Sequence, residues 1–227
     1  MFSIETFYQE YETEPHEVVI NGRTFTMLLP KYLNRFLNSD NMFHDFPLWA
    51  KIWRASWVLA ANLAEMPVKH EKHFLEIGGG LGLVSIVATS FGHKITMTEC
   101  NSDALQFARA NAYLNNCLDF PIVKLDWSNP QLKGKYDYIV ASEVVYKEQD
   151  FPLLLKLFET YLRPEGRIIL ASEMRKTICD FYRYRQAVFN IIIEKKSLGS
   201  ENEETQVILF KMTFQNEGDQ SLFKSRF

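Results

Sequence analysis

Residues 75–83 read Leu-Glu-Ile-Gly-Gly-Gly-Leu-Gly-Leu and change from a strand pattern to a helix pattern in the middle. The opening residues are mostly apolar, as in a buried strand, and from position 83 onward the apolar residues have helical spacing. Gly78, Gly79 and Gly80 lie between the two patterns, where the absence of side chains lets the backbone turn sharply and approach a ligand closely. A tight turn that binds no ligand would show the same glycines, so the segment alone leaves both interpretations open.

From residue 73 onward, short apolar runs alternate with stretches of helical spacing, which predicts an α/β fold with a mostly parallel sheet. The predicted strands are residues 74–77, 95–98, 122–125, 138–141 and 167–171. The predicted helices are residues 83–91, 103–115, 153–162 and 181–188, while residues 126–136 are expected to be mostly loop and 164–166 a turn. Two later β-rich runs, 189–193 and 205–214, are expected to pair antiparallel at one edge of the sheet.

The residues before this sheet predict a hairpin followed by a helix. Residues 18–20 and 24–28 have β-forming composition, and Asn21-Gly22 between them favours a tight type I′ turn. Apolar residues recur at three- and four-residue steps from Trp49 to Leu63, which predicts an amphipathic helix that ends before Pro67. We predict one domain over residues 1–227, with a hairpin extension at 1–48, the core at 49–214 and a frayed tail at 215–227.

The composition fits a single α/β domain and argues against a nucleic-acid partner. Of the 227 residues, 47% are apolar and 23% are charged, and the formal net charge is −3. A chain with this balance has no strong positive field for phosphate backbones. A basic cluster is interpreted as a solvated helix face rather than a phosphate-reading stripe, and consists of Arg175, Lys176, Arg183 and Arg185. An acidic run nearby, Glu201, Glu203 and Glu204, could frame a protein-docking rim.

Cysteine usage and hydropathy predict a cytoplasmic protein. Cys100, Cys117 and Cys179 are widely spaced and odd in number, which is typical of reduced thiols. The first residues are acidic rather than basic, and no apolar run approaches the roughly 20 residues that span a bilayer. His70 and His73 are interpreted as surface histidines rather than metal ligands. We therefore expect no membrane partner and no metal.

Acidic and aromatic residues stand at the ends of the next two predicted strands. Glu99 ends the second strand, 21 residues after Gly78, where a carboxylate can accept the hydroxyls of a ribose. Asp126 and Trp127 end the third strand, where they can read an exocyclic amine and cover the face of a base. The alternatives are a solvated Glu99, an Asp126 that caps the next turn and a Trp127 that packs in the core. Because the carboxyl ends of parallel strands meet, we expect one site at this edge of the sheet.

The glycine pattern does not match that of dinucleotide-binding proteins. Their fingerprint requires glycine at the first, third and sixth positions, and counting from Gly78 the sixth position is Leu83. The sequence also has no Gly-x-Ser-x-Gly elbow, no Gly-Lys-Ser/Thr phosphate loop and no His-Glu-x-x-His zinc site. These absences disfavour a nicotinamide enzyme, a serine hydrolase, a P-loop phosphotransferase and a zinc protease.

The fourth strand ends in Ser-Glu-Val-Val-Tyr at 142–146, which completes a set of motifs. Together with the glycine segment, Glu99 and Leu125-Asp126-Trp127, it resembles the seven-strand S-adenosylmethionine-dependent methyltransferases. The resemblance is greatest to the branch called methyltransferase family 16, which contains many protein lysine methyltransferases and carries an Asp/Glu-x-x-Tyr signature. Residues 49–56, Trp-Ala-Lys-Ile-Trp-Arg-Ala-Ser, also look like the tryptophan-led helix of that branch. The resemblance spans about 49–214 and implies a Rossmann-like seven-strand sheet, mostly parallel with an antiparallel edge.

The resemblance implies S-adenosylmethionine as the cofactor. The residues that it assigns to cofactor binding are Trp53, Gly78, Gly79, Gly80, Glu99, Asp126, Trp127 and Ser142. In this assignment the glycines lie against the methionine and ribose, and Glu99 binds the ribose hydroxyls. Residues 126 and 127 face the adenine, and residues 53 and 142 close the pocket. The sequence departs from the usual family pattern at Gly79, Leu81, Glu99 and Glu143, which we expect to change affinity rather than remove the site.

The resemblance also implies a lysine side chain of a protein as the methyl acceptor. We predict that Glu143 captures and orients the amine and that Tyr146 fixes its approach through the phenol hydroxyl. A glutamate with a pKa near 4.3 cannot take the proton of an ammonium with a pKa of about 10.4, so the proton is expected to leave to water. In the alternative, Glu143 binds the ammonium of the cofactor and Tyr146 only packs.

Two other functions fit the same sequence. The first is a small-molecule N-methyltransferase, because the fold does not determine the substrate. The second is a module that binds the cofactor without catalysis and stabilises a partner. The base-directed aminomethyltransferases usually carry Asn/Asp-Pro-Pro-aromatic after the fourth strand, whereas residues 142–146 contain no proline, which disfavours a nucleic-acid substrate. The oligomeric state is left open.

Overall fold

The computed structural model describes residues 2–37, 46–185, 188–198 and 205–215. The helices are α1 (Ile4–Glu10), α2 (Arg54–Glu65), α3 (Leu83–Ser90), α4 (Ser102–Leu114), α5 (Phe151–Tyr161) and α6 (Lys176–Arg185). The strands are β1 (Thr13–Ile20), β2 (Arg23–Pro30), β3 (His73–Ile77), β4 (Lys94–Glu99), β5 (Ile122–Lys124), β6 (Tyr136–Ser142), β7 (Leu162–Glu173), β8 (Phe189–Leu198) and β9 (Thr205–Phe214). The predicted acidic rim at 201–204 and residues 216–227 of the predicted tail lie outside the described residues.

The main sheet has seven strands in the order β5-β4-β3-β6-β7-β9-β8. The pairs that join β5, β4, β3, β6 and β7 are parallel, whereas β9 pairs antiparallel with both β7 and β8. The predicted fold class is therefore confirmed, including the antiparallel edge. The strand order reverses between β3 and β6, so the loops that follow strands β3, β4 and β6 come together at one edge, where open α/β sheets bind ligands.

Buried apolar side chains form two layers, one on each face of the sheet. Successive residues of a strand point to opposite faces, so Phe74 joins one layer and Leu75 the other. The hairpin and helices α2, α3 and α4 supply the first layer, and α5 and α6 supply the second. None of the described helices is both long and apolar enough to cross a bilayer.

The N-terminal hairpin has the predicted turn, and a helix that the sequence did not predict precedes it. Asn21 and Gly22 have φ values of 47° and 76°, as a type I′ turn requires. Helix α1 begins after Ser3, whose hydroxyl accepts a hydrogen bond from the Thr6 N–H and so caps the helix. Phe7 and Tyr11 then pack on Phe107 of α4 with ring centroids 5.0 and 5.1 Å apart.

The last strands of the main sheet are longer than predicted. Strand β7 begins at Leu162, which pairs with Tyr136, and the next pair joins Arg167 to Tyr138. Residues 163–166 therefore form a bulge within the strand rather than a turn before it. Strand β8 also extends to Leu198, and α6 covers residues 176–185 instead of 181–188.

Two asparagines of α4 attach the hairpin to the core. The buried Asn111 side chain accepts a hydrogen bond from the Leu28 N–H at 2.6 Å and donates to the Leu28 and Leu81 carbonyls at 3.3 and 3.0 Å. Asn115 contacts the N–H and the carbonyl of Thr26 at 3.0 and 2.8 Å. The asparagine side chains therefore make hydrogen bonds with β2 that a third strand of the hairpin sheet would otherwise make. Asn111 also contacts the glycine segment through the Leu81 carbonyl.

We expect Asn111→Ala to lower the free energy of unfolding by about 2–4 kcal/mol, because buried backbone groups of Leu28 and Leu81 lose their partners. Asn115→Ala is the matched control and should cost less, since its site is only part-buried and water can replace the amide. Urea unfolding of both variants measures the difference. Equal losses would show that the Asn111 amide has no special role.

Candidate active site

The glycine segment forms a loop between β3 and α3 at the carboxyl ends of the parallel strands. Gly78 has φ = 64°, a left-handed value that favours glycine, and a Cβ there would lie 2.9 Å from Val144 Cγ1. A Cβ on Gly79 would lie 2.6 Å from Met97 Cε. The Gly79 N–H donates to the Thr98 carbonyl at 2.9 Å, which holds the loop against β4. Side chains are therefore excluded here by geometry, and bare backbone faces the open side.

The Glu99 carboxylate fixes the loop from the end of β4. Its Oε2 accepts a hydrogen bond from the Gly80 N–H at 3.0 Å, and its Oε1 accepts from the N–H groups of Cys100 and Asn101 at 2.7 and 2.9 Å. Each carboxylate oxygen can accept about two hydrogen bonds, so Oε2 keeps capacity for a ligand hydroxyl. The side chain is nearly buried yet contributes to the surface of the cleft described next.

A cleft of about 330 Å³ opens over the loop. Its lining includes seven of the eight residues assigned to the cofactor and both residues assigned to the acceptor: Trp53, Gly78, Gly79, Gly80, Glu99, Trp127, Ser142, Glu143 and Tyr146. Residues in the lining that sequence reasoning did not single out include Lys51, Ser56, Cys100, Asn101 and Asp150. Lys51 and Ser56 lie in the Trp49–Ser56 motif, so this motif could have identified them as site residues.

Asp126 is the predicted cofactor residue that does not line the cleft. Its side chain is exposed, and Oδ1 accepts hydrogen bonds from the N–H and the hydroxyl of Ser128 at 2.8 and 2.7 Å. These bonds lower the pKa of the Asp126 carboxyl. The geometry matches the turn-capping alternative. Its neighbour Trp127 turns the other way, with Cζ2 3.7 Å from the position of a Cβ on Gly78.

Trp53 enters the cleft because the chain makes a short 3-10 turn at Leu48–Ala50 before α2 begins at Arg54. The predicted helix from residue 49 therefore starts five residues later than expected. The Trp53 indole Nε1 donates to the Leu48 carbonyl at 2.8 Å, which ties the turn to the helix. The Trp49 backbone then lies beside the loop, with its carbonyl oxygen 3.4 Å from the position of a Cβ on Gly80.

Glu76 lies beneath the loop, within the fold rather than in the lining of the cleft. The Ser85 hydroxyl donates to its carboxyl oxygen, and the Thr98 hydroxyl donates to its backbone carbonyl at 2.7 Å. Burial raises the pKa of Glu76 to about 8. Through the Ser85 hydroxyl the side chain links β3 to the first turn of α3.

Glu143 follows β6 with a left-handed φ of 51°, which is strained for a residue that has a side chain. Its side chain is only 3% exposed, and Oε1 accepts a hydrogen bond from the Glu173 N–H at 2.6 Å. Burial is the main cause that raises the pKa of the carboxyl, while the Glu173 N–H and the Arg175 guanidinium act in the opposite direction. The strained backbone thus aims a nearly dry carboxyl group at the cleft.

Arg175 is the main functional candidate that sequence reasoning missed. Its guanidinium lies 3.3 Å from Glu143 Oε2 and 3.5 Å from Glu173 Oε2. Its Cζ also lies 5.6 Å from the ring centroid of Trp53 and 5.7 Å from that of Tyr146. The interpretation as part of a solvated helix face is therefore wrong for Arg175, because the residue precedes α6 and turns toward Glu143. The interpretation as a solvated helix face is correct for Arg183, which is exposed and pairs with Asp180.

The lining matches the parts of an adenosyl sulfonium. Bare backbone at 78–80 suits a ligand that approaches closely, a held carboxylate suits ribose hydroxyls, and an indole suits the face of a purine. All three lie at the carboxyl ends of β3, β4 and β5, where this sheet topology binds nucleosides. The seven-strand fold and this cleft are those expected of a methyltransferase that uses S-adenosylmethionine.

Comparison with known proteins identifies the family within this class. A family model described as lysine methyltransferase matches residues 44–194, which is more than half of the chain. The chain therefore belongs to the lysine methyltransferase family.

Named relatives agree with this family, and solved structures share the fold. The chain is 25% identical to EEF1A lysine methyltransferase 3 of Xenopus tropicalis over 74% of the chain and 76% of the relative. It is 28% identical to protein N-lysine methyltransferase METTL21A of the same organism over 64% of the chain and 70% of the relative. The ribosomal protein L11 methylase of Lactobacillus delbrueckii subsp. bulgaricus has a similar fold, with a TM-score of 0.58 and 22% identity over 73% and 81% of the two chains. The glycopeptide N-methyltransferase MtfA, solved with S-adenosyl-L-homocysteine, also has a similar fold, with a TM-score of 0.57. Its sequence identity is 14%, and the match covers 71% of this chain and 90% of MtfA.

Proposed function

We propose that this enzyme methylates the ε-amine of a lysine in a protein substrate. The observation that carries the proposal is the buried Glu143 carboxylate, which pairs with Arg175 and lines the same cleft as Tyr146, Trp53 and the glycine loop. A carboxylate and aromatic rings that line one cleft suit a cationic side chain. The family of the chain supports lysine as the acceptor, and the relatives named as protein N-lysine methyltransferases support a protein as its carrier.

We assign one end of the cleft to the cofactor. S-adenosylmethionine, when bound, supplies an activated methyl group on a sulfonium. Backbone of the glycine loop would hold the methionine and ribose, Glu99 would accept hydrogen bonds from the ribose hydroxyls, and Trp127 would cover the adenine. Trp53 and Ser142 would close the pocket. Asp126 is not part of this assignment, because its carboxylate already accepts two hydrogen bonds from Ser128 outside the cleft.

The acceptor end combines Glu143, Tyr146 and Arg175. A lysine must lose its proton before it can attack, which costs about 4–5 kcal/mol at pH 7. An isolated carboxylate would oppose this loss, because a negative charge stabilises the ammonium. Arg175 offsets the charge of Glu143, so the carboxylate orients the amine without retaining its proton, and the proton leaves to water. Alignment of the two reactants can lower the barrier by up to about 7–11 kcal/mol.

The direct test incubates the purified chain with methyl-labelled S-adenosylmethionine and an extract of the source cells. Label in a protein band, recovered as methyl-lysine after hydrolysis, is the expected result. Label in small molecules alone would make the enzyme a small-molecule N-methyltransferase. Cofactor binding by calorimetry without any label would indicate a non-catalytic binding module.

A pair of substitutions tests the cofactor assignment. We expect Glu99→Gln to weaken binding of S-adenosylhomocysteine by about 10- to 100-fold, because hydrogen bonds to a charged group contribute about 1.5–3 kcal/mol. Asp126→Asn should change the dissociation constant by less than about twofold, because its side chain does not line the cleft. Isothermal titration calorimetry measures both. An unchanged affinity in the Glu99 variant would contradict the assignment.

We also propose that the chain works as one domain in the cytoplasm. The hairpin side chains Phe25 and Met27 share one buried layer with residues of α2 and α3, which supports a single folding unit. The cytoplasmic location stays a prediction from the sequence. Fractionation of cells that produce the protein tests the location, and a single urea transition would support one domain.

A further inference from the structure

Lys51 lies in the turn between the Leu48–Ala50 segment and α2 and lines the cleft. Among the described residues of the lining it is the one lysine. Its Nζ lies 4.7 Å from the ring centroid of Trp53, within the range of a cation–π contact. The amine of Lys51 thus lies against the indole that we assign to closing the cofactor pocket, and Arg175 of the proposed acceptor site lies near the same ring.

The backbone beside Lys51 is anchored next to the glycine loop. The Trp49 Cα lies 3.6 Å from the position of a Cβ on Gly80, and the Trp53 indole holds the Leu48 carbonyl. Two residues span at most about 7 Å of extended chain, so the Lys51 backbone stays close to the cofactor end of the cleft. The flexible four-carbon stem lets the amine move between Trp53 and the interior of the cleft. A tethered reactant of this kind has a high effective concentration.

We propose that Lys51 is a modification site and that the enzyme methylates it within the same molecule. This inference rests on the proposed function, because it uses the same cofactor end and the same acceptor chemistry. The Lys51 ammonium first gives its proton to water. Its nitrogen then forms a bond to the methyl carbon as the carbon–sulfur bond breaks, and the electron pair of that bond stays on sulfur. The products are Nε-methyl-lysine at position 51 and S-adenosylhomocysteine.

Methylation of Lys51 is compatible with its surroundings. A methylated lysine keeps its positive charge, so the contact with Trp53 persists, and the added carbon suits an aromatic face. The side chain is exposed, so the product needs no repacking of the core. The modified residue therefore remains at the wall of the cleft.

The test uses the purified full-length chain with S-adenosylmethionine and no other protein, followed by digestion and mass spectrometry. We expect a mass gain of one methyl group on the peptide that contains Lys51, at a rate per molecule that does not change with protein concentration. Lys51→Arg keeps the charge and should abolish the gain. Lys156→Arg, at an exposed position of α5, is the control and should leave it unchanged.

A second readout requires no methyl transfer. An amine-reactive reagent is applied with and without S-adenosylhomocysteine, and we expect slower labelling of Lys51, but not of Lys156, when this compound occupies the cleft. Equal labelling of Lys51 in both samples would place its amine away from the cleft and overturn the inference. Methylation that rises with protein concentration, or that occurs at another lysine, would also overturn it. If Lys51 stays unmodified while a protein in the cell extract is methylated, this inference fails alone, whereas the absence of methyl-lysine in both experiments removes the proposed function as well.

Discussion

Arg175→Gln is expected to lower lysine methylation at pH 7 by about 10- to 100-fold and to move the rate optimum to higher pH. The acceptor attacks as a neutral amine, and one unit in its pKa changes the neutral fraction about tenfold at pH 7. In the wild type the guanidinium of Arg175 offsets Glu143 at 3.3 Å. Without it, the negative charge of Glu143, with Glu173 nearby, raises the pKa of the acceptor ammonium. The rate should therefore recover as the pH rises.

The measurement is the initial rate of methyl transfer to protein between pH 6.5 and 9.5. Arg183→Gln is the matched control, because the Arg183 side chain is 74% exposed and pairs with Asp180 on α6. Arg175→Lys restores the charge and should return most of the wild-type profile, although one ammonium cannot reproduce the fork that reaches both Glu143 and Glu173. A variant that is slower by the same factor at every pH would show that Arg175 only supports the local structure.

The sheet could be predicted from the sequence because its parallel strands are buried on both faces. Such strands read as short apolar runs, and the helices between them have a different period. The hairpin turn could also be predicted, because Asn21-Gly22 has few other conformations that suit two flanking strands. Helix α1 was missed because its seven residues give too few repeats for a periodic signal. The bulge at 163–166 depends on the partner strand β6, which no local pattern reports.

The sequence predicted which residues lie near the site, because that depends on their position at the end of a strand. It could not predict the contacts of a side chain that has more than one possible partner. Glu99 ends the parallel strand β4, and Asp126 lies two residues after its parallel neighbour β5. Glu99 turns to the loop N–H groups, whereas Asp126 finds Ser128 two residues later. A hydrogen bond from Ser128 to Asp126 is one of two outcomes that the sequence allows, and the other is a carboxylate that faces the cleft. Only the structure shows that the local hydrogen bond forms. Arg175 stands among other basic residues, and its pairing with Glu143 joins segments 32 positions apart.

Gly78→Ala is expected to weaken binding of S-adenosylhomocysteine by more than about 100-fold and to destabilise the fold by about 2–4 kcal/mol. Two costs combine at this position. A side chain at φ = 64° is strained, and the new Cβ would lie 2.9 Å from Val144 Cγ1. Val144 is buried between the loop and the second apolar layer, so it has little room to move. The loop must therefore shift, and the backbone that faces the cofactor shifts with it.

Gly134→Ala separates these two costs. Gly134 also has a left-handed φ, of 80°, but a Cβ there has no neighbouring atom within 4 Å. This control should lose about 1–2 kcal/mol of stability from backbone strain and should bind S-adenosylhomocysteine as tightly as the wild type does. Calorimetric titration and urea unfolding of both variants give the comparison. If Gly78→Ala binds S-adenosylhomocysteine as tightly as Gly134→Ala, the steric contact with Val144 does not control the loop, and the cofactor must be held by other residues of the cleft.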